Sequence, residues 1–347
     1  MNEQARTKIK VPPARPVRRA RIAGTGAFVP DRVLTNADLE KMVDTTDQWI
    51  LDRTGIRERR IAGPDEPTSV LAARAAQRAL DDAGLTADTV DMIIVATITP
   101  DMGFPNTACF VQDAIGAKNA VCYDLEAACS GFLYSLEVAK QFVATGMYDT
   151  ILVIGAEKIS AITDWKDRSL CVLFGDAAGA AVVRPCDDAD GLGLIHSVLR
   201  SDGSLADLLK LPGGGSRFPA TEETLRQNLH TMKMDGREVF KHAVTCMISA
   251  ARQVLEETGV GVEDLSLIIP HQANMRIIKA IGDRLGGEPS QYFVNLERYG
   301  NTSAASVIVA LDEAVRSGRL KQGDLVLLVA FGGGFVWGAS LLEWSKA

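Results

Sequence analysis

The sequence predicts an α/β fold built from two pseudo-symmetric halves of βαβαβ type, and three observations predict it. Residues 75–96 (AAQRALDDAGLTADTVDMIIVA) align without gaps on residues 250–271 (AARQVLEETGVGVEDLSLIIPH), an offset of 175 residues. The similarity resumes further on, where Val143-Ala-Thr-Gly146 matches Val315-Arg-Ser-Gly318 and the apolar runs from Ile151 and from Leu325 follow. Each half then closes on a glycine-rich strand-like segment, Gly175 to Gly179 in the first and Gly332 to Gly338 in the second. A period this long marks a duplicated domain, not a solenoid. The 347 residues also exceed one ordinary core.

Residues 1–20 read as a flexible basic tail, because Arg15, Arg18 and Arg19 sit among prolines without the apolar stretch of a secretory signal. Residues 21–186 form the first half and residues 187–347 the second. Gly24-Thr-Gly26 reads as an ordinary turn, since Val29 and Pro30 replace the remainder of a dinucleotide fingerprint. In each repeat an amphipathic helix stops at Gly84 or Gly259, an acidic turn follows, and a β-branched run suits a buried strand. Strands alternating with helices imply sheets covered on both faces. Gly213-Gly-Gly215 lacks the Lys-Ser/Thr of a phosphate loop and reads as a surface turn.

Bulk properties exclude several classes. Hydrophobic residues at 47% and charged residues at 23% are ordinary for a globular protein. The longest apolar runs, Met92 to Ile98 and Leu325 to Phe331, fall far short of the roughly 20 residues of a membrane span. A net charge of -7 gives no reason to expect nucleic acid. The six cysteines form no CxxC pair and have no histidine at zinc-ligand spacing, so no metal is expected. With no signal or span, a cytoplasmic location is expected.

The second pair of matched segments, at an offset of 172, sets Asn301 opposite Cys129. Each follows a short turn and opens a helix, with Ser130-Gly131 and Thr302-Ser303 as cap-like groups. A helix N-terminus favours a thiolate, and a thiolate accepts an acyl group from another thioester readily. His271 lies at the end of the repeated strand, in Pro-His-Gln-Ala-Asn (270–274). A neutral imidazole and the Asn301 amide both offer N–H donors, and together they make an oxyanion hole for the enolate left when a malonyl thioester loses carbon dioxide. No strong base is then needed, and the carbanion can attack an acyl group on Cys129.

The motifs DLEAACSGF (124–132), IIPHQANMRII (268–278), ERYGNTSAAS (297–306) and AFGGGFVWGAS (330–340) resemble those of the β-ketoacyl-acyl-carrier-protein synthase III family, from about Arg21 almost to the C-terminus. The resemblance implies a thiolase-like fold, its two halves forming a layered αβαβα sandwich, and a homodimer that condenses a short acyl-CoA, most often acetyl-CoA, with malonyl-acyl carrier protein to begin fatty-acid synthesis. It needs no cofactor beyond the coenzyme A thioester substrate. By motif match Cys129 is the acylated nucleophile and His271 with Asn301 promotes decarboxylation. The N–H groups of Cys129 and Gly333 hold the first oxyanion, and Phe331 shapes the decarboxylation site. Trp49 and Arg168 fall where the family sandwiches adenine, with Thr45 and Arg53 beside them and Gly236, Phe240 and Asn274 along the pantetheine tunnel. Lys241, Arg276 and Lys279, with Gln272, Ala273, Asn274 and Met275, fall where the carrier protein docks. Phe104 resembles the residue that closes the partner's acyl pocket. The chain departs from the family pattern at Glu126, Asp283 and Val336, which bear on acyl-chain preference and docking.

Other classes fit less well. Thiolases use a second cysteine and chain-elongating synthases a second histidine where this chain has Asn301. Plant-type polyketide synthases carry Gly-Phe-Gly-Pro-Gly where it has Gly332-Gly-Gly-Phe. A papain-like protease shares the order Cys, His, Asn but not the local cysteine signature. Synthases that prime polyketide or alkylquinolone synthesis, and a non-catalytic acyl-binding protein, stay as alternatives.

Overall fold

A computed structural model describes residues 16–187 and 191–346. Its first half runs β1 (Ala20–Phe28), β2 (Val33–Thr35), α1 (Asn36–Leu39), α2 (Asp47–Thr54), β3 (Glu58–Arg60), α3 (Thr68–Ala83), β4 (Met92–Ala96), α4 (Thr107–Ile115), β5 (Val121–Leu125), α5 (Gly131–Ala144), β6 (Ile151–Glu157), α6 (Arg168–Cys171) and β7 (Ala177–Pro185). The second runs β8 (Leu194–Ser201), β9 (Leu209–Lys210), α7 (Glu222–Arg226), β10 (Lys233–Met234), α8 (Gly236–Thr258), β11 (Leu267–Pro270), α9 (Met275–Leu285), α10 (Leu296–Tyr299), α11 (Ala305–Arg316), β12 (Leu325–Gly332) and β13 (Val336–Glu343).

The repeat seen in the sequence is a repeat of topology. One sheet has the order β1-β7-β6-β4-β5 and the other β8-β13-β12-β11, so four strands of each correspond one to one. Their directions agree: β4–β6 and β11–β12 are parallel, while β6–β7 and β12–β13 are antiparallel. Strand β5 has no full counterpart, and its place in the second sheet is taken by a single bridge from Ile268 to Tyr292. The paired helices α3 and α8 end as predicted, on left-handed Gly84 (φ 66°) and Gly259 (φ 69°).

Burial decides the layering. Helix α3 covers the outer face of the first sheet and α8, with α9 beside it, the outer face of the second. Helices α5 and α11 lie between the sheets, with Phe132, Leu136, Ile308 and Leu311 in a core shared with both. Helix α11 is buried on nearly every side, as a helix between two sheets must be. The N-termini of these two central helices therefore open at the junction of the halves.

Three expectations need correction. Gly24 and Gly26 are not in a turn: they lie within β1, and a Cβ at Gly26 would overlap the Ala79 backbone nitrogen, so they let α3 approach the strand closely. The basic tail is not loose up to residue 20. Arg18 donates to the Val143 carbonyl at 2.9 Å and pairs with Asp149 at 2.7 Å, and fully buried Ala20 starts β1. Residues 1–15, with Arg15, lie outside the described residues. Finally, Ser130 does not cap α5; its hydroxyl donates to the Val336 carbonyl at 3.0 Å.

Candidate active site

The duplication delivers Cys129 and Asn301 in the same way. Each follows a residue with positive φ, Ala128 (φ 44°) and Gly300 (φ 65°), which turns the chain sharply toward its central helix. Cys129 stands two residues ahead of α5, and Asn301 four ahead of α11. The Asn301 backbone is strapped to the other half: its N–H donates to the Leu173 carbonyl at 2.8 Å, and its carbonyl accepts from the Gly175 N–H at 3.1 Å. His271 continues the β11–β12 ladder, its N–H donating to the Val329 carbonyl at 2.7 Å. The three side chains line one cavity of about 740 Å³, together with Ser303, Phe331 and Gly333.

Hydrogen bonds settle which atoms face that cavity. The Ser303 N–H donates to Asn301 Oδ1 at 2.9 Å, which occupies the amide oxygen and leaves the Nδ2 donors for the cavity. The Ser306 hydroxyl lies 2.6 Å from His271 Nδ1 and accepts weakly from the Gln272 N–H at 3.4 Å. The tautomer in which the Ser306 hydroxyl donates to Nδ1 carries the imidazole proton on Nε2. Burial holds His271 down at about 3, so the ring is neutral near neutrality, and in that tautomer Nε2 is an N–H donor.

Cys129 departs from expectation. Helix-end polarity predicts a thiolate, yet burial pushes the thiol up to about 12, outweighing the Ser303 hydroxyl, which pulls it down, while the charge of buried Glu157 adds a lesser upward push. Desolvation therefore outweighs the helix end in the empty site. Backbone shape is fixed by Gly332, which sequence reasoning passed over: a Cβ there would lie 2.6 Å from the Cys129 nitrogen. Phe331 packs edge-on against Phe335 at 4.7 Å between ring centres, forming one wall. Glu157, Ser303 and Ser306 were equally unforeseen as site residues. The two serines lie inside the ERYGNTSAAS motif, but nothing local marks Glu157.

The remaining candidates fall into groups. Gly236, Phe240, Ala273 and Asn274 line the cavity toward the starts of α8 and α9. Asn274 is also a structural cap, accepting from the Arg276 N–H at 2.8 Å and donating to the Arg53 carbonyl at 3.1 Å, and this ties α2 to the cavity rim. On α2, Trp49 has the Arg53 guanidinium 4.6 Å and the Arg168 guanidinium 5.0 Å from its ring centre. An adenine between Trp49 and Arg168 needs about 7 Å, two contacts of about 3.5 Å, so the expected sandwich is closed and Arg168 must swing out to admit it. Arg168 is exposed and held by the Asp44 carbonyl at 2.6 Å. Thr45 Oγ1 is buried with no partner among the described residues, a free group beside that stack.

Lys241, Arg276 and Lys279 are exposed near the same rim. Gln272 is not: it is 1% exposed, its amide donating to the Pro270 and Phe293 carbonyls and accepting from the Asn295 N–H. That removes Gln272 from any protein-docking surface. Met275 likewise packs inward with Ile56, Ile278 and Leu296. Phe104 is 86% exposed and lies outside the cavity of its own chain.

Two duplicated α/β halves whose central helices bring a thiol and a carboxamide, and whose strand β11 brings an imidazole, to one cavity define a condensing, acyl-transferring enzyme of the thiolase fold. Comparison with known proteins narrows the class. The family model described as 3-oxoacyl-(acyl-carrier-protein) synthase III matches residues 123–203, and that of its C-terminal part residues 255–344. The β-ketoacyl-(acyl-carrier-protein) synthase III of Caldanaerobacter subterraneus is 56% identical over 94% of this chain and 98% of its own. The crystal structure of the Aquifex aeolicus 3-oxoacyl-(acyl-carrier-protein) synthase III is 47% identical, with a TM-score of 0.86 over 94% of this chain and 100% of that one. A priming β-ketosynthase from a polyketide biosynthetic pathway is 37% identical, with a TM-score of 0.89 over 98% and 99%. The chain belongs to the β-ketoacyl-acyl-carrier-protein synthase III family.

Proposed function

We propose that the chain catalyses the decarboxylative Claisen condensation of a short acyl-CoA, acetyl-CoA first, with malonyl-acyl carrier protein, giving a 3-ketoacyl carrier protein, coenzyme A and carbon dioxide. The observation that carries the reading is the convergence of Cys129, His271 and Asn301 on one cavity, with their donor atoms oriented by Ser306 and Ser303. Cys129 takes the acyl group from coenzyme A, the Cys129 and Gly333 N–H groups holding the oxyanion. The malonyl thioester oxygen then sits between His271 Nε2–H and Asn301 Nδ2–H, where the enolate charge develops as carbon dioxide leaves. The enolate carbon attacks the acyl group and Cys129 departs.

Trp49, Arg53, Arg168 and Thr45 hold the nucleotide end of coenzyme A, while Gly236, Phe240 and Asn274 flank its pantetheine arm. Lys241, Arg276 and Lys279 meet the acidic carrier protein. The working unit is a homodimer joined along β5, whose outer edge pairs with no strand in the described chain and whose neighbour Phe104 projects into solvent. No described helix is long and apolar enough to cross a membrane, which accords with a cytoplasmic site of action.

Mass spectrometry after incubation with acetyl-CoA, together with carbon dioxide release from malonyl carrier protein, tests the assignment. Asn301→Ala should keep the acyl adduct on Cys129 and lose carbon dioxide release by about 10²–10³-fold. Equal loss of both steps, or no adduct with any acyl-CoA, would refute it.

A further inference from the structure

Behind the cavity lies a carboxylate that the reaction above does not use. Glu157, the last residue of β6, is 0% exposed and is not part of the cavity wall. Its Oε2 accepts from Thr99 Oγ1 at 2.7 Å, Thr97 Oγ1 at 3.1 Å and the Ile98 N–H at 3.2 Å, while Oε1 accepts from Ser303 Oγ at 2.9 Å. One carboxylate therefore joins two parts of the wall that are remote in sequence, Thr97 and Ile98 from the first half and Ser303 from the second. The three donors on Oε2 fix the group, so Oε1 is presented to Ser303 in one place. Strand β6 also meets this turn directly: a Cβ at Gly155, two residues before Glu157, would overlap the Ala304 carbonyl.

Ser303 is a residue that needs holding. Its φ is 50°, a value that a residue with a side chain keeps only when its surroundings impose it. In this conformation the Ser303 N–H turns back onto Asn301 Oδ1 at 2.9 Å, the partner that this amide oxygen has among the described residues. Two bonds hold Ser303 itself. The Ser306 N–H donates to its carbonyl at 3.1 Å, and its hydroxyl is tied to Glu157. Without the second bond Ser303 can relax and draw its N–H away from Oδ1. The amide is then free to rotate and to set an oxygen where the enolate needs an N–H.

We propose that Glu157 is a positioning residue for the decarboxylation step: by holding the Ser303 hydroxyl it keeps Ser303 at positive φ and the Asn301 amide turned with Nδ2 toward the malonyl thioester. The inference rests on the condensing-enzyme reading above and adds to it a residue that touches no substrate. It also separates the two half-reactions. Acyl transfer to Cys129 uses the N–H groups of Cys129 and Gly333 and does not use Asn301, so it should survive loss of the clamp. The charge of Glu157 pushes the Cys129 thiol up, so removing that charge gives no reason for slower acylation. General damage to the fold would lower both steps.

The test follows both half-reactions on the full-length protein: acetylation of Cys129 by acetyl-CoA, read by quenched mass spectrometry, and carbon dioxide release from malonyl carrier protein by protein acetylated to the same extent. Glu157→Gln keeps the shape but has one oxygen for two sets of donors. Carbon dioxide release should fall about 10- to 100-fold while acetylation stays within about threefold of native. Ser303→Ala and Ser303→Gly lose the same hydroxyl, but only glycine adopts a positive φ without being held. Carbon dioxide release should therefore be about tenfold faster in Ser303→Gly than in Ser303→Ala, and this contrast decides the matter if Glu157→Gln does not fold. Carbon dioxide release within about twofold of native in Glu157→Gln, equal loss of both half-reactions, or equal release by the two Ser303 variants overturns the proposal. Failure of the native protein to acylate at all instead overturns the reading beneath it.

Discussion

Replacing Gly332 by alanine tests whether the turn that presents Cys129 is set by contact with β12. The added Cβ would stand 2.6 Å from the Cys129 nitrogen, 3.0 Å from Ala128 Cβ and 3.2 Å from the Ser130 nitrogen. Ordinary contact is about 3.5 Å, so something must yield by about 1 Å. Strand β12 is held on both sides, by β11 and by β13, whereas the turn rests on left-handed Ala128. The turn therefore moves, and it carries both the sulfur and the Cys129 N–H with it. A misplacement of about 1 Å at reacting atoms costs about 10²-fold in rate, and overpacking costs about 1–3 kcal/mol in stability. The assay is the initial rate of acetyl transfer to Cys129 by quenched mass spectrometry, with urea unfolding to show that the variant is folded under assay conditions. Folded Gly332→Ala protein that acylates within about twofold of the native rate would refute the argument.

Ser306→Ala frees His271 Nδ1 and lets the ring take either tautomer. Carbon dioxide release should fall by up to about 10²–10³-fold while Cys129 acylation persists, and unchanged release would show that Ser306 does not set the tautomer. Trp49→Ala removes the stacking face for adenine, worth about 1–3 kcal/mol, so KM for acetyl-CoA should rise about 5- to 100-fold with kcat nearly kept. A fall in kcat alone would place Trp49 elsewhere in the cycle. Because burial holds His271 at about 3, carbon dioxide release from acylated protein should show no break near pH 6.5. In equilibrium unfolding, the unfolded chain takes up the imidazole proton first, so this residue's contribution to stability declines as pH falls from about 6.5 toward 3. A rate break near 6.5 would mean that the ring is solvated.

The duplication, the α/β class and the candidate positions Cys129, His271 and Asn301 were readable along the chain. These were legible because they are local or repetitive: helix period, glycine stops, β-branched runs and a common offset survive without coordinates. Gly24 and Gly26 were misread, since a glycine needed for close approach by a distant helix looks like one needed for a turn. Gln272 was misread for a related reason, its motif showing the residue types but not that the amide turns inward to two carbonyls. The tertiary fold was needed for the ionisation of Cys129 and His271, the orientation of the Asn301 amide and the bond from Ser303 to Glu157. Each of these depends on desolvation, on the turn of the backbone or on hydrogen bonds between residues far apart in the chain, such as Ser303 and Glu157, separated by 146 positions. No pattern along one chain encodes how much water a fold removes from a side chain.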